Sequence, residues 1–210
     1  MKIGVIGAGR LGICFALLCE KAGYDVLVSD VRESYVEKLN QRVISTNEPL
    51  VQELLKNSSK LSATTSNVEV INECDIVYTF VCTPSTPQGD YDVSSVWKVV
   101  EDFKNTGAGG TQFVVGCTTN PGDCDQFQDA LLAQGVDVYY NPEFIAQGSI
   151  IKDLQYADMV LVGGDENHDI AKLYYDIQGD SEPRLFFMSR HAAELVKLAV
   201  NCYLTTKISY

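Results

Sequence analysis

Six residues near the start, Gly7-Ala8-Gly9-Arg10-Leu11-Gly12, restrict what this chain can become more than any other stretch. They follow the apolar run Lys2–Ile6 directly and open an apolar-periodic segment over residues 11–22. In a G-x-G-x-x-G placed between a strand and a helix, the first glycine allows a tight turn and the second lets a pyrophosphate approach the backbone. The third lets helix and strand pack closely. The helix N-terminus then offers unpaired N–H groups and a partial positive charge. Alone, the pattern also fits a phosphate site or a structural turn. A second apolar run, Asp25–Ser29, leads to Asp30, near the ~20-residue spacing at which an acid meets a ribose 2′-OH. That context points to a dinucleotide. Asp30 favours NAD over NADP by repelling a 2′-phosphate, and Arg32 blurs that preference.

The rest of the chain alternates short apolar runs with helical periodicity. Strands are expected at Lys2–Ile6, Asp25–Ser29, Leu61–Thr64 and residues 75–82, 112–116, 136–140 and 159–162, the last of the series. Helices are expected over 11–22, 34–41, 50–56, 93–105, 124–134 and 169–175. Leu185–Met188 is short and apolar, and residues 192–210 read as a helix with no stop signal. This alternation predicts an α/β fold, a doubly wound, mainly parallel Rossmann-type sheet followed by the start of a long helix.

Composition narrows the partners. Sixteen Lys+Arg against 28 Asp+Glu give a net charge of −12 in 210 residues. An acidic chain without clustered basic residues argues against nucleic acid and anionic membranes. No run of ~18 apolar residues occurs to span a bilayer. The seven cysteines are scattered and form no C-x-x-C, so a reducing cytoplasm is expected rather than a disulfide framework. No metal-ligand spacing appears, and His168 and His191 are expected to face solvent or bond locally.

Four further segments carry polar groups suited to chemistry. Val81-Cys82-Thr83-Pro84 ends a buried strand, either to touch the cofactor or simply to start a loop. Thr118 and Thr119 end a later one; their hydroxyls suit a water or a ribose, and equally a helix cap near Pro121. Asn141-Pro142-Glu143-Phe144-Ile145 follows another strand. Glu143 is there either a partly desolvated general base or a solvated loop acid. Lys197 and Asn201 stand i, i+4 on one helix face, to stabilise an oxyanion and move a proton, or as an exposed pair.

Taken together, these segments resemble the UDP-glucose/GDP-mannose 6-dehydrogenase family over nearly the whole chain. The carrying stretches are residues 2–12, Asn47-Glu48-Pro49-Leu50 with Glu53-Leu54-Leu55, 61–65, 81–85, the Asn-Pro-Glu-Phe segment at 141–148, and residues 193–209 with Ala193-Glu194-Leu195-Val196-Lys197-Leu198-Ala199-Val200-Asn201. The resemblance implies NAD-dependent oxidation of a sugar C6 alcohol to a carboxylate, most like UDP-glucose to UDP-glucuronate. Two NAD are used, and the aldehyde is held as a cysteine thiohemiacetal and then a thioester. It implies that Glu143 activates the hydrolytic water, that Lys197 stabilises the oxyanion, and that Asn201 and Thr119 are positioning residues. Glu143, Phe144, Ile145, Lys197 and Asn201 are the implied substrate contacts. Gly7, Ala8, Gly9, Arg10, Leu11, Gly12, Asp30, Tyr35, Val81, Cys82, Thr83, Pro84, Thr118 and Gln147 are the implied cofactor contacts. Tyr35 stands where some members have a cofactor-binding Arg, and Gln147 where members commonly have a second Glu.

The family's nucleophilic cysteine lies in a Gly-Gly-x-Cys-x-x-x-Asp segment beyond the central helix, and no cysteine here has that context. The expectation is therefore an NAD-binding domain over 1–189 and the start of a central dimerisation helix over 190–210, without the C-terminal nucleotide-sugar domain. Such a chain is expected to be inactive alone, to sit in the cytoplasm and to form a homodimer through that helix. Two other readings stand beside it: a single-hydride enzyme akin to the hydroxyacid dehydrogenases, which share the glycine loop and a Lys-x-x-x-Asn helix, and a non-catalytic NAD-binding module.

Overall fold

A computed structural model describes residues 1–107, 109–146, 148–179 and 184–210. The strands are β1 (Lys2–Ile6), β2 (Asp25–Ser29), β3 (Leu61–Thr64), β4 (Ile76–Thr79), β5 (Gln112–Val115), β6 (Asp137–Tyr140), β7 (Val160–Gly163) and β8 (Leu185–Met188). They form one sheet in the order β3-β2-β1-β4-β5-β6-β7-β8. Pairing is parallel from β3 through β6, β7 runs antiparallel to β6, and β8 is parallel to β7. Strands covered on both faces read as unbroken apolar runs. All four residues of Ile76-Val77-Tyr78-Thr79 are accordingly buried.

The helices are α1 (Arg10–Lys21), α2 (Glu33–Asn40), α3 (Val51–Lys56), α4 (Asn67–Glu73), α5 (Ser94–Thr106), α6 (Asp123–Leu131), α7 (Ile150–Gln155), α8 (His168–Gln178) and α9 (Arg190–Ser209). They pack on both faces of the sheet, and each face holds its own apolar core. α1 is buried along most of its length because its interior is Gly-Ile-Cys-Phe-Ala-Leu-Leu-Cys. Phe15 on α1 meets Tyr78 of β4 at 4.4 Å between ring centroids and Tyr174 of α8 at 6.4 Å. Those rings tie α8 under the front of the sheet.

β1 lies between β2 and β4, so the chain leaves β1 and β4 toward opposite faces. A crevice opens at such a switch point, beyond the strands' C-terminal ends. Three expectations need correction. β4 stops at Thr79: Phe80 N still donates to Ile6 O at 2.8 Å, but Val81–Pro84 make no strand pairing. The run Leu185–Met188 is an eighth strand, so the segment near 160 is not the last. α4 and α7 interrupt stretches read as connections. Residues 83–92 form a loop that an antiparallel bridge between Ser85 and Tyr91 folds back on itself.

Candidate functional site

The glycine turn is built as its spacing requires. Gly7 takes a φ of +92°, and the N–H groups of Gly7 and Ala8 both donate to Ser29 O, at 2.9 and 3.1 Å. A Cβ on Gly7 would lie 2.9 Å from the Phe80 carbonyl oxygen, and one on Gly12 would lie 2.1 Å from Gly7 O. A Cβ on Gly9 would meet nothing within 4 Å. The first and third glycines are therefore closed by the protein's own backbone, and the second faces open space. Gly9 is also the N-cap of α1 and brings no side chain to the first-turn N–H groups. Those donors suit a pyrophosphate.

Asp30 follows β2 and is 9% exposed. Arg32 grips it with two hydrogen bonds, Nε to Oδ1 at 2.8 Å and Nη2 to Oδ2 at 2.9 Å, and adds its own backbone N–H at 3.0 Å. Burial opposes ionisation of Asp30, but these donors prevail and hold its carboxyl below the ordinary range. The guanidinium also lies 4.3 Å from the centroid of the Tyr35 ring. Position 35 thus contributes a ring face, and the cation beside Asp30 comes from position 32. The residues fit a dinucleotide: open backbone at Gly9 for the phosphates and an ionised acid for the ribose.

Across the crevice, the chain beyond β4 carries Val81, Cys82, Thr83 and Pro84. Cys82 and Pro84 are exposed, and Val81 and Thr83 are half-buried. Asn120 pins this loop to the one after β5: Tyr91 N donates to its Oδ1 at 2.7 Å and its Nδ2 donates to Tyr91 O at 2.9 Å. Thr118 is half-buried. Thr119 is fully buried, and its hydroxyl donates to Glu194 Oε1 at 3.0 Å. Glu194 also accepts from Cys124 N at 2.9 Å and Gly122 N at 2.6 Å, at the start of α6. This buried carboxylate fastens α9 to that loop, and Thr119 is part of the fastening.

The second half of the site is a cavity of ≈ 470 Å³ between α9 and the chain after β6. Glu143, Phe144, Ile145, Lys197 and Asn201 all line it. Lys197 is 9% exposed. Its Nζ donates to the backbone oxygen of Glu143 at 2.6 Å and lies 4.7 Å from the Phe144 ring centroid. Burial lowers the Lys197 pKa, and Glu143 opposes that in part. Glu143 is no solvated loop acid. Burial pushes its carboxyl up to about 7, against the opposing charge of Lys197. Tyr174 lies 3.0 Å from Glu143 Oε1 and also bonds Asn141. Thr119 does not line this cavity, and Gln147 lies outside the described residues.

Sequence reasoning gave no role to three buried groups that hold the site together. Tyr174 comes from a helix far along the chain and bears no motif. Glu194 looks like any helix-surface acid until its burial is seen. Glu48 is 6% exposed and accepts twice from Gly148 N, at 3.0 and 3.1 Å, with Arg10 of the glycine turn 3.9 Å away. It clips the Glu143 loop toward the glycine turn.

Comparison with known proteins agrees with this geometry. Residues 1–177 match the family model described as "UDP-glucose/GDP-mannose dehydrogenase family, NAD binding domain". The UDP-glucose 6-dehydrogenase of Rickettsia bellii is 27% identical over 217 residues, covering 100% of this chain and 50% of that protein. The structure of a UDP-glucose dehydrogenase from Pyrobaculum islandicum superposes with a TM-score of 0.87 at 28% identity, over 99% of this chain and 50% of that one. The UDP-D-ManNAc dehydrogenase of Pyrococcus horikoshii gives 0.86 at 27% identity, over 97% of this chain and 50% of that one. The chain thus spans about half the length of the relatives it matches. With its glycine cradle, an ionised acid at the end of β2 and a family match over most of its length, this chain belongs to the UDP-glucose/GDP-mannose dehydrogenase family, as an NAD-binding domain of it.

Proposed function

We propose that the chain is the NAD-binding part of a nucleotide-sugar 6-dehydrogenase that oxidises a C6 alcohol to a carboxylate, with UDP-glucose as the sugar nucleotide. One observation carries this reading: Glu143, Phe144, Ile145, Lys197 and Asn201 converge on one cavity although they come from two distant segments. Bound NAD would supply the hydride acceptor, held by residues 7–12 and Asp30. The buried Lys197 ammonium stabilises oxyanion character on the substrate carbon's oxygen, where low dielectric strengthens the attraction. Asn201, one turn on, fixes that oxygen by hydrogen bonding. Glu143, with a carboxyl near neutrality, exchanges a proton with water or substrate.

The thiol step of the family is the part these residues support least. Burial pushes Cys14, Cys74 and Cys117 up to about 12, and Cys19 and Cys124 well above their ordinary value. A nucleophile needs a thiolate, so these five are poor candidates. Cys82 and Cys202 are exposed, and neither stands in the Gly-Gly-x-Cys-x-x-x-Asp context that the family uses, so we propose that residues 1–210 bind NAD and do not complete the four-electron oxidation. Calorimetric titration with NAD should show binding. Incubation with NAD and UDP-glucose should show no sustained release of two NADH per sugar, and sustained release overturns the proposal.

A further inference from the structure

The environment of Glu143 fixes more than its pKa. Asn141, at the end of β6, donates through Nδ2 to Leu161 O of β7 at 2.8 Å. That bond sets the amide's orientation, so Oδ1 is the atom facing Tyr174. An amide oxygen only accepts. The Tyr174 hydroxyl, which bonds it, must therefore be the donor. A phenol has one proton, so nothing remains for Glu143 Oε1, 3.0 Å from the same oxygen. An ionised carboxylate there would set lone pair against lone pair in a buried place, which costs the unpaired group its desolvation.

The other groups facing Glu143 do not relieve this. Lys197 on α9 donates to the backbone oxygen of Glu143, not to its carboxylate. Cys19 on α1 and Tyr78 on β4 are near enough to feel its charge, and any charge on them would be negative. The Tyr78 hydroxyl is buried with no hydrogen-bond partner among the described residues. A protonated carboxyl removes the conflict, because it donates to the lone pair that Tyr174 has free.

We propose that Tyr174 and Asn141 are positioning residues that keep an acid proton on Glu143: Tyr174 gives its only proton to Asn141 Oδ1 and receives one from the Glu143 carboxyl. Glu143 then rests as an acid. It becomes a base only after losing that proton, when the Tyr174 hydroxyl turns to the carboxylate and leaves Asn141. The protein thereby couples the ionisation of Glu143 to the rotation of one hydroxyl.

The inference deepens the role proposed for Glu143, and its test reads a proton rather than turnover, so either can fail without the other. Infrared difference spectra of the 210-residue chain at pH 6 should contain a protonated-carboxyl band that is missing in Glu143→Gln. Absence of such a band in the folded wild type overturns the proposal, whatever the variants do. In Asn141→Leu the freed hydroxyl donates to the carboxylate, so the proton affinity of Glu143, followed by carboxyl ¹³C NMR, should fall tenfold or more. On a Tyr174→Phe background the same substitution should change it less than twofold. An unchanged affinity in folded Asn141→Leu, or a full drop without the hydroxyl, also overturns it. Should Asn141→Leu not fold, the wild-type band at pH 6 decides.

Discussion

At the scale of single residues, the glycine turn separates binding from folding. Gly9 and Gly12 look interchangeable in sequence, but an added Cβ meets nothing at the first and a carbonyl oxygen 2.1 Å away at the second. Gly9→Val should therefore fold with near wild-type stability and lose NAD affinity by two orders of magnitude or more, measured by titration calorimetry. Gly12→Val should fail to give folded protein, because a backbone atom cannot move aside. Glu143 gives a second prediction with a definite sign. Its folded carboxyl titrates near 7, above the ~4.3 of an unfolded chain. The native state then binds the extra proton between those values, so wild-type stability falls as pH rises through that window. Glu143→Gln lacks the dependence. Urea unfolding should show the variant gaining on wild type from pH 5 to pH 8 by about 2–3 kcal/mol. A constant difference across that range counts against a neutral buried acid. These residues show how far sequence reaches: spacing placed Gly9 in the strand-to-helix turn and Asp30 at the end of β2, whereas the partner of Glu143 sits on a helix with no distinguishing pattern.

Elements were legible where hydropathy alternates strongly. β1 to β3, β5 and β6, and the helices around them, follow from apolar runs and glycine punctuation. α4 escaped because it is short and half exposed, yet its start carried a signal: Ser66 Oγ accepts from Glu69 N, the S-x-x-E pattern of a helix N-terminus. The end of β4 was overextended because the apolar run continues through Phe80, which keeps one bond to Ile6 O, and Val81, which has no strand pairing. The reversed direction of β7 was invisible, since an apolar run has no polarity along the chain. At this scale Glu194 is the joint between α9 and the loop that opens α6. Its carboxylate takes one hydroxyl and two backbone N–H groups, all near the start of α6. Truncation strands those donors in a buried place. Glu194→Ala should cost about 3 kcal/mol or more in chemical denaturation. It should also loosen Lys197, one turn on, so that hydrogen exchange at α9 amides rises more than at β1. Equal changes in both would mean uniform destabilisation, with no particular joint.

On the scale of the whole molecule, α9 is the element that the domain does not cover. Its first half is held by Ala193, Glu194 and Lys197, all buried, and by Arg190 bonding Asp125 at 2.7 Å. Its second half has no such anchors. Tyr203 is 64% exposed there, Leu204 48% and Ile208 85%, and Leu195 in the first half is 47% exposed. The large side chains at 204 and 208 share one face, and those at 195 and 203 lie two turns apart on another. Exposed apolar surface of this kind on a regular element marks an interaction site, and a second copy offers the matching stripe in an isologous contact. The net charge of −12 opposes association of like chains, so apolar burial has to outweigh a repulsion that salt screens. Self-association through α9 should therefore strengthen between low and physiological ionic strength, a direction opposite to that of a contact held by ion pairs. Sedimentation velocity at micromolar concentration should show a dimer that tightens with salt, and Leu204→Glu with Ile208→Glu should return it to monomer without lowering NAD affinity. A wild-type monomer throughout would mean that α9 meets some other partner, and that the apolar stripe does not serve pairing between copies.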